Sequence, residues 1–486
     1  MKVGDLVHMP GSIEPTTGIV LREEEPEDAP RGFTPRFHDT DNPRQGADAT
    51  MTLSPYYTHG DGRESAFTVT PPKIKFGPGS LREVGHDAKA LGMSRVALYT
   101  DKTVAQLECV STVKQALSDA NIDVAVFDEV EVEPTDKSFK AGIEFAKSGN
   151  FDGFFSVGGG SSMDTAKAAD LYTSHPPHEF LDYVNAPIGN AKLVPGPLKP
   201  HIACPTTFGT ASECTAVAIF DLLEMEVKTG ISNAHLRPSL GVLDPDTLAS
   251  LPGPVIAANG FDVFTHACES YTAVPYTSRD KPADPTARPV YQGANPYSDL
   301  STLEAIRLIG ANLVEAVKQP GATEFREKLM FAGMLAGIGF GNSGVHIPHA
   351  MAYAVAGLVR DYYPQGWKSN HPMVPHGTSV IVNAPAAFRF TGPACPERHF
   401  TAAEAMGADT ASANIADGGN LLADRIVDMM RETDLPNGIS GVGYSEEDIP
   451  NLVKGTLPQQ RLLVMSPAQV GEAELTQLFK DALRYW

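Results

Sequence analysis

At 486 residues the chain is too long for one simple hydrophobic core, so we expect two domains with an additional segment. A formal net charge of −21 gives a surface that repels phosphate backbones and anionic lipids, so neither nucleic acid nor membrane is an expected partner. The five cysteines form no CxxC pair, and the first residues show no signal-peptide pattern. We therefore expect reduced thiols in a cytoplasmic protein.

The first 70 residues differ in composition from the rest of the chain. Met1–Arg22 contains two short strand-like runs, and Glu23 to about Gly62 is rich in Pro, Asp, Gly, Arg and Glu without a clear period. This composition predicts an extended arm or linker, with a poorly ordered extension as the alternative.

From Pro71 onward, apolar strands alternate with helical patterns. The predicted elements, in chain order, are a strand at Val96–Thr100, a helix at Thr103–Ala120, a strand at Val124–Val130, a helix at Lys137–Lys147, a strand at Gly153–Gly158 and a helix from Ser162. Such alternation predicts an α/β domain with a doubly wound parallel sheet.

Past about Pro245 the strand signals fade and long helical patterns follow. These cover Val255–Tyr271, Asp299–Lys318, Glu324–Phe340, Val345–Leu358 and Asn420–Glu432. The sequence therefore predicts three parts: an N-terminal extension (1–70), an α/β domain (71–248) and an all-helical domain (249–486).

A run of glycines lies between a buried strand and a helix in "FFSVGGGSSMDTAKAA", at Gly158, Gly159, Gly160 and Ser161. Residues without Cβ atoms let the backbone approach a pyrophosphate, and the following helix presents free N–H groups. A tight strand–helix turn also uses glycine, and the spacing is not GxGxxG. Asp101 closes an earlier strand, where it could accept hydrogen bonds from an adenosine ribose or cap the helix ahead of Thr103.

Histidines are concentrated in the helical part. Asp262 and His266 stand at i and i+4, which places them on one helix face. Further candidates are His346, His349, Tyr353, His371 and His376. One carboxylate with several imidazoles suits a divalent transition metal, although single helical histidines are more often ordinary core residues.

These motifs together resemble one family. "GGGSSMDTAKA", "PTTFGTASE", "GFDVFTHACES", "HIPHAMAY" and "VPHGTS" occur in the order found in the iron-containing alcohol dehydrogenases, from about residue 71 to the C-terminus. "VEPTDKSF", "TARPVYQGANPYSDL", "GIGFGNSGVHIPHAMAY" and "DIPNLVKGTLPQQR" look closer to one branch, the hydroxyacid–oxoacid transhydrogenases. The first 70 residues do not fit that pattern well.

The resemblance implies a dehydroquinate synthase-like fold of two domains, with the active site between them, NAD as cofactor, and Fe²⁺ favoured over Zn²⁺. It implies metal ligation by Asp262, His266, His349 and His376. It implies pyrophosphate binding at Gly158–Ser161 beside Asp164, and adenosine ribose binding at Asp101. The implied nicotinamide-side residues are Thr206, Thr207, Thr210, Lys228 and Leu243.

One position departs from the family pattern. Many members carry a histidine four residues after the third ligand, where it is thought to relay a proton, and this chain has Tyr353 there. A phenol, with a reference pKa near 10, can still join a hydrogen-bond chain. His346 is the alternative relay residue.

The implied reaction moves a hydride from a hydroxy acid such as 4-hydroxybutyrate to an oxoacid such as 2-oxoglutarate. A conventional NAD-dependent alcohol dehydrogenase or aldehyde reductase, acting on an alcohol or aldehyde, is the nearest alternative. A lyase resembling dehydroquinate synthase and a non-catalytic binding protein are more distant. Carboxylate substrates need a cation in the cleft, for which Arg288, and after it Arg279, Lys281 and Lys368, are candidates. A homo-oligomer, taken as a dimer, is the expected assembly.

Overall fold

The computed structural model describes residues 54–225, 227–285, 288–367 and 371–486. The strand-like runs predicted in Met1–Arg22 and most of the predicted linker lie outside the described residues.

A six-stranded parallel sheet forms the first half of the described chain. Its strands, in chain order, are β1 (Ile74–Phe76), β2 (Arg95–Tyr99), β3 (Asp123–Phe127), β4 (Gly153–Gly158), β5 (His201–Pro205) and, after an antiparallel hairpin of β6 (Val217–Leu222) and β7 (Val227–Ser232), β8 (Leu240–Leu243). The spatial order in the sheet is β1-β8-β5-β4-β2-β3, and every pairing within it is parallel. The predicted doubly wound parallel sheet is therefore confirmed.

Helices cover both faces of this sheet. Along β2, Val96 and Leu98 pack into one hydrophobic cluster and Ala97 and Tyr99 into another, as the alternation of a strand requires. The helices of this half are α1 (Val84–Ala90), α2 (Glu108–Asp119), α3 (Asp136–Ser148) and α4 (Gly160–Ser174).

The described residues after β8 contain helices and no named strand. The helices are α5 (Gly253–Thr272), α6 (Pro296–Lys318), α7 (Thr323–Ser343), α8 (Ile347–Gly357), α9 (His376–Ile381), α10 (Ala384–Thr391), α11 (Pro396–Ala405), α12 (Gly418–Glu432), α13 (Ile449–Thr456), α14 (Gln460–Leu463) and α15 (Glu472–Asp481). They share a large hydrophobic core that includes Phe261, Leu313 and Met430. Over the part of the chain that is described, no helix is long and apolar enough to cross a membrane.

Some predicted boundaries shift for local reasons. The helix predicted from Thr103 begins only at Glu108, because Leu107 is extended and separates α2 from a single turn at Val104–Gln106. The helix predicted from Val345 begins at Ile347, because His346 has non-helical backbone angles.

The described end of the N-terminal extension packs against the helical half. Tyr57 is buried in a small cluster with Ala273 and Tyr276, and its hydroxyl donates to Asp299. Residues from Ser54 onward thus form part of the folded body and do not behave as a free linker.

Candidate active site

Four side chains from three helices meet at one point. Asp262 and His266 lie one turn apart on α5, His349 lies in the first turn of α8, and His376 begins α9. One ligand atom from each lies within 4.8 Å of the others. Gly377 permits this approach, because a Cβ there would lie 1.9 Å from the carbonyl oxygen of Ala258 on α5.

The polar atoms at this point lack partners of their own. Asp262 Oδ1, His266 Nδ1 and His349 Nε2 are buried, and no hydrogen-bond partner for them exists among the described residues. Asp262 Oδ1 lies 3.6 Å from each of the two nitrogens and 3.7 Å from His376 Nε2. Unpaired buried polar atoms are costly, and a shared cation would satisfy all of them. One carboxylate and three imidazoles fit a divalent transition metal.

A further carboxylate, Glu269, contacts the side of His349 opposite its ligand atom. The sequence analysis did not identify this residue. It is fully buried on α5, its Oε1 lies 2.5 Å from His349 Nδ1, and its Oε2 accepts the backbone N–H of His346. A carboxylate at Nδ1 keeps the proton there and leaves Nε2 as a lone-pair donor. This arrangement is typical of metal-binding histidines.

Burial and charge prepare these groups for a cation. Burial lowers the pKa of His266 to about 3 and also lowers the pKa of His376. Burial acts in the same direction on His349, but the Glu269 carboxylate outweighs it and raises the His349 pKa to about 9. Burial raises the pKa of Asp262, but the neighbouring histidines more than offset this and hold it well below its usual range.

The glycine run lies at the end of β4 and the start of α4, as predicted. A Cβ on Gly160 would lie 2.7 Å from Thr210 Oγ1, so packing alone already requires a small residue there. Thr210 Oγ1 is itself buried without a hydrogen-bond partner among the described residues. The helix N-terminus and this hydroxyl give the loop donors for an anion.

Both carboxylate oxygens of Asp164 accept hydrogen bonds from other groups of the protein. Its Oδ1 accepts from Ser212 Oγ at 2.5 Å, and its Oδ2 accepts from the backbone of Ile219 at 2.9 Å. Lys167, which sequence analysis missed, lies 3.7 Å from it and donates to the carbonyl oxygens of Ser212 and Val217. Burial lowers the pKa of this lysine to about 8.

The other predicted cofactor residues differ in their surroundings. Asp101 Oδ1 accepts from the backbone N–H groups of Thr103 and Val104 at 2.8 and 2.9 Å, so it does cap the turn ahead of α2. Thr206 and Leu243 are buried beside the carboxyl ends of β5 and β8, and Thr207 lies near Gly159.

Lys228 is held by two carboxylates that the sequence analysis did not identify. Its Nζ lies 2.9 Å from Glu133 Oε2 and 2.9 Å from Asp221 Oδ1. Burial lowers the pKa of Lys228, but the two carboxylates outweigh burial and raise it. Its predicted contact with the nicotinamide ribose stays a prediction.

The three histidines of the four-residue group and the end of the glycine run line the same cleft, which contains about 800 Å³ of empty space, part of it open to solvent. Gly160, Ser161 and Asp164 contribute from the α/β half. The helical half contributes His266, His349, His376, Tyr291, Tyr353 and Arg461.

The two predicted relay residues occupy different positions. Tyr353 lines the cleft one turn after His349, and its hydroxyl accepts a hydrogen bond of 3.0 Å from Arg461 Nη2. His346 is fully buried away from the cleft lining, where its Nε2 lies 3.0 Å from Thr272 Oγ1. The relay role of either residue stays a prediction.

Of the predicted carboxylate-binding cations, the described ones, Arg288, Arg279 and Lys281, are not among the residues that line the cleft. Arg288 forms a two-point ion pair with the buried Glu64, at 2.9 and 3.0 Å. Arg279 is half-buried, Lys281 is exposed, and Lys368 lies outside the described residues. His371 is exposed and is not part of the four-residue group.

Comparisons with known proteins show the family to which this chain belongs. The family model "Iron-containing alcohol dehydrogenase" matches residues 71–245, and the model of the family's C-terminal domain matches residues 290–483. The chain therefore belongs to the iron-containing alcohol dehydrogenase family, and the predicted fold class and enzyme class, an oxidoreductase, are confirmed.

Relatives and solved structures refine this placement. A mitochondrial hydroxyacid-oxoacid transhydrogenase of Bos taurus is 47% identical over 428 residues, which covers 88% of this chain and 92% of that protein. A probable mitochondrial hydroxyacid-oxoacid transhydrogenase of Dictyostelium discoideum is 44% identical over 88% of this chain and 81% of its own length. The crystal structure of a 1,3-propanediol oxidoreductase is 28% identical, with a TM-score of 0.75, over 86% of this chain and all of that one. The predicted likeness to the transhydrogenase branch is confirmed.

The same relatives correct one expectation. The cysteine usage and the first residues predicted a cytoplasmic protein, but the named relatives are mitochondrial proteins. The prediction of a cytoplasmic location is wrong, because unpaired cysteines do not distinguish one reducing compartment from another.

Proposed function

We propose that this chain is a hydroxyacid–oxoacid transhydrogenase that transfers a hydride from 4-hydroxybutyrate to 2-oxoglutarate. The observation that carries the proposal is the single cleft in which the four-residue group on α5, α8 and α9 and the glycine run before α4 face the same space. The names of the 47%-identical relatives point to a hydroxy acid and an oxoacid as substrates.

In this proposal Asp262, His266, His349 and His376 hold a divalent metal, with Fe²⁺ as the native ion. The affinity order of divalent metals favours Zn²⁺ over Fe²⁺ at equilibrium, so a sample purified in air can carry zinc instead. When bound, the metal supplies Lewis acidity at a substrate oxygen and NAD supplies the hydride chemistry.

The glycine run and nearby hydroxyls would bind NAD. Gly158–Ser161 at the start of α4 would receive the pyrophosphate, next to the unpaired hydroxyl of Thr210. Asp101 would receive the adenosine ribose, which is compatible with its cap, since only Oδ1 accepts the two backbone bonds. Thr206, Thr207, Lys228 and Leu243 would shape the nicotinamide end.

The chain's own groups set the chemistry of the cleft before any substrate binds. Glu269 fixes the ring of His349, and Lys228 forms an ion pair with Glu133 on the cleft wall. Phe340, whose ring stacks on that of His266 at 4.0 Å, adds an apolar wall that limits access of water.

We further propose a domain boundary at 248–249, a mitochondrial location like that stated in the relatives' names, and a homodimeric assembly. The proposed boundary follows β8 and precedes α5, and with it the cleft would lie between the two domains.

The decisive experiment follows the hydride. 4-Hydroxybutyrate deuterated at the carbinol carbon is supplied with 2-oxoglutarate and an excess of unlabelled free NADH. Undiluted deuterium in 2-hydroxyglutarate is the expected result, because a transhydrogenase retains its reduced cofactor between half-reactions. Label diluted into the free pool, with NADH released one-for-one, would contradict the proposal and leave a conventional dehydrogenase.

A further inference from the structure

The acidic groups on the cleft wall are each already paired. Glu133 is paired with Lys228 at 2.9 Å, and Asp164 lies 3.7 Å from Lys167. Lys228 also pairs with Asp221 at 2.9 Å, and Asp262 belongs to the four-residue group. None of these carboxylates forms an ion pair with Arg461 in the described chain, so its guanidinium is not taken by an acid of the protein.

Arg461 is the one Lys or Arg among the described residues that line the cleft. It forms no ion pair with any carboxylate of the described chain, and the groups that act on it are the phenols of Tyr353 and Tyr291. A guanidinium has five N–H donors, and the Tyr353 hydroxyl takes one of them. Arg461 is only partly exposed, and a cation with reduced access to water and no carboxylate partner favours an anionic ligand.

The neighbouring phenols add donors to the same spot. Arginine cannot accept a hydrogen bond, so the Tyr353 oxygen must be the acceptor in their contact, and its own O–H is left to donate elsewhere. Burial raises the pKa of Tyr291 to about 12, so that phenol also keeps its proton. Guanidinium and phenol donors converge without a competing acceptor, which is the composition of a carboxylate site.

The segment that carries Arg461 is fixed at both sides. Gln459 is buried and donates to the backbone oxygen of Lys228 at 3.3 Å, while Leu462 lines the cleft. Arg461 is therefore held on the cleft wall between β7 and α8. An arginine on an exposed surface would be free to change its rotamer.

Resting on the proposed function, we propose that Arg461, with Tyr353 and Tyr291, binds the distal carboxylate of both substrates. Tyr353 follows His349 by one helical turn, which separates neighbouring side chains on one face by about 5–6 Å. The two proposed substrates have one unit in common: a reacting carbon, two methylene groups and a carboxylate. A substrate oxygen beside His349 thus places that carboxylate at Arg461 in either half-reaction.

This arrangement explains how one cleft serves a monocarboxylate and a dicarboxylate in turn. It also gives Tyr353 a task other than the proton relay, since its O–H points to the substrate's acid group. Arg461 is then a substrate-binding residue, whose loss affects acids and spares uncharged alcohols.

The test compares Arg461→Met with Arg461→Lys in the metal-loaded enzyme. Arg461→Met is expected to raise the KM for 4-hydroxybutyrate and for 2-oxoglutarate by about 100-fold, as the loss of a bidentate charged contact implies. Arg461→Lys should recover part of this loss, because it keeps the charge without the fork. Activity with 1-butanol, which lacks the carboxylate, should change less than about threefold. Arg307→Met, at an exposed arginine paired only with Glu304, is the matched control.

A binding experiment separates the two proposals. Butyrate, a carboxylate that cannot react, should bind wild type and lose affinity in Arg461→Met, measured by titration calorimetry. If butyrate binding is lost while wild type fails to transfer deuterium between acids, the inference stands and the proposed function fails. If wild type transfers deuterium but Arg461→Met leaves both the acid KM values and butyrate binding unchanged, the inference is overturned.

Discussion

Replacing Glu269 with glutamine should weaken metal binding without unfolding the protein. The two carboxylate oxygens of Glu269 accept from two donors, the His349 ring and the backbone N–H of His346. Glutamine keeps the shape but offers only one acceptor. The backbone N–H cannot change its role, whereas an imidazole can move its proton from Nδ1 to Nε2. In the variant the amide NH₂ would then face Nδ1, and Nε2 would carry the proton.

The magnitude follows from this change of tautomer. An imidazole protonated on Nε2 must move its proton to Nδ1 before Nε2 can bind a metal. The Nδ1–H then faces the amide NH₂ of the variant, and two buried donors without an acceptor cost about 1–3 kcal/mol. Loss of such supporting carboxylates typically costs about 10–100-fold in metal affinity, or about 1.4–2.7 kcal/mol. We expect a loss in that range, with the metal-free protein nearly as stable as wild type.

The assay is a competition titration of Fe²⁺ and Zn²⁺ against a chelator of known affinity, with metal content measured by mass spectrometry. The matched control is Glu213→Gln, which changes another buried carboxyl of the same length outside the four-residue group. Equal metal affinity in wild type and Glu269→Gln, or an equal loss in the control, would refute the reasoning.

Three further changes test other parts of the chain. Asp101→Gly should narrow the preference for NAD over NADP by at least about tenfold, measured as the ratio of kcat/KM values, because a carboxylate repels a 2′-phosphate. Lys167→Met should lower the free energy of unfolding in urea by about 3 kcal/mol, because buried acceptors lose their common donor. Arg288 holds the pKa of Glu64 at about 2, below its usual 4.5, so the pair stabilises the fold above that usual value and its contribution is lost as the pH falls. Glu64→Gln should therefore unfold more easily than wild type at about pH 7, and the difference should shrink as the pH falls below 4.5 and vanish only near pH 2, measured in a denaturant series across pH.

Local periodicity made much of the fold predictable. The helix that carries Asp262 and His266 was recognisable because both residues repeat at helical spacing within a long apolar segment. The strands β1, β5 and β8 were not predicted, although β5 has five residues like β2 and β3, so strand length alone does not explain why they were missed. Their place is decided by pairing across the sheet, which one sequence does not reveal.

The supporting residues of the site were missed for a different reason. Glu269 lies inside the quoted "GFDVFTHACES", but its role depends on His349, which is 80 residues away. Lys167 lies in the helical segment "DTAKA", where a lysine is normally expected to be exposed. In the structure it is buried. The signal in each case was a charged residue within an otherwise apolar or small-residue helix, since such a residue must find a partner.

Arg288 shows the converse error. It was the first candidate for the carboxylate-binding cation, yet Glu64, 224 residues before it, accepts hydrogen bonds from its Nε and Nη2. Arg461 stands in another such segment, "DIPNLVKGTLPQQR", and was passed over because a surface arginine reads the same way in sequence. What separates the two arginines is whether a carboxylate of the chain reaches them, and that is a property of the fold.

The overall negative charge of the chain makes an arginine without a carboxylate partner important for binding acids. A net charge of −21 disfavours acid substrates near the protein, so attraction from a distance cannot explain why such a chain would bind them. At physiological ionic strength, charges more than about 8 Å apart in water are largely screened, whereas those within a cleft are not. A substrate carboxylate inside the cleft therefore experiences mainly the groups that line it. There Glu133 shares Lys228 with Asp221 and Asp164 lies beside Lys167, whereas Arg461 is paired with no carboxylate of the described chain and is the cation that a substrate meets.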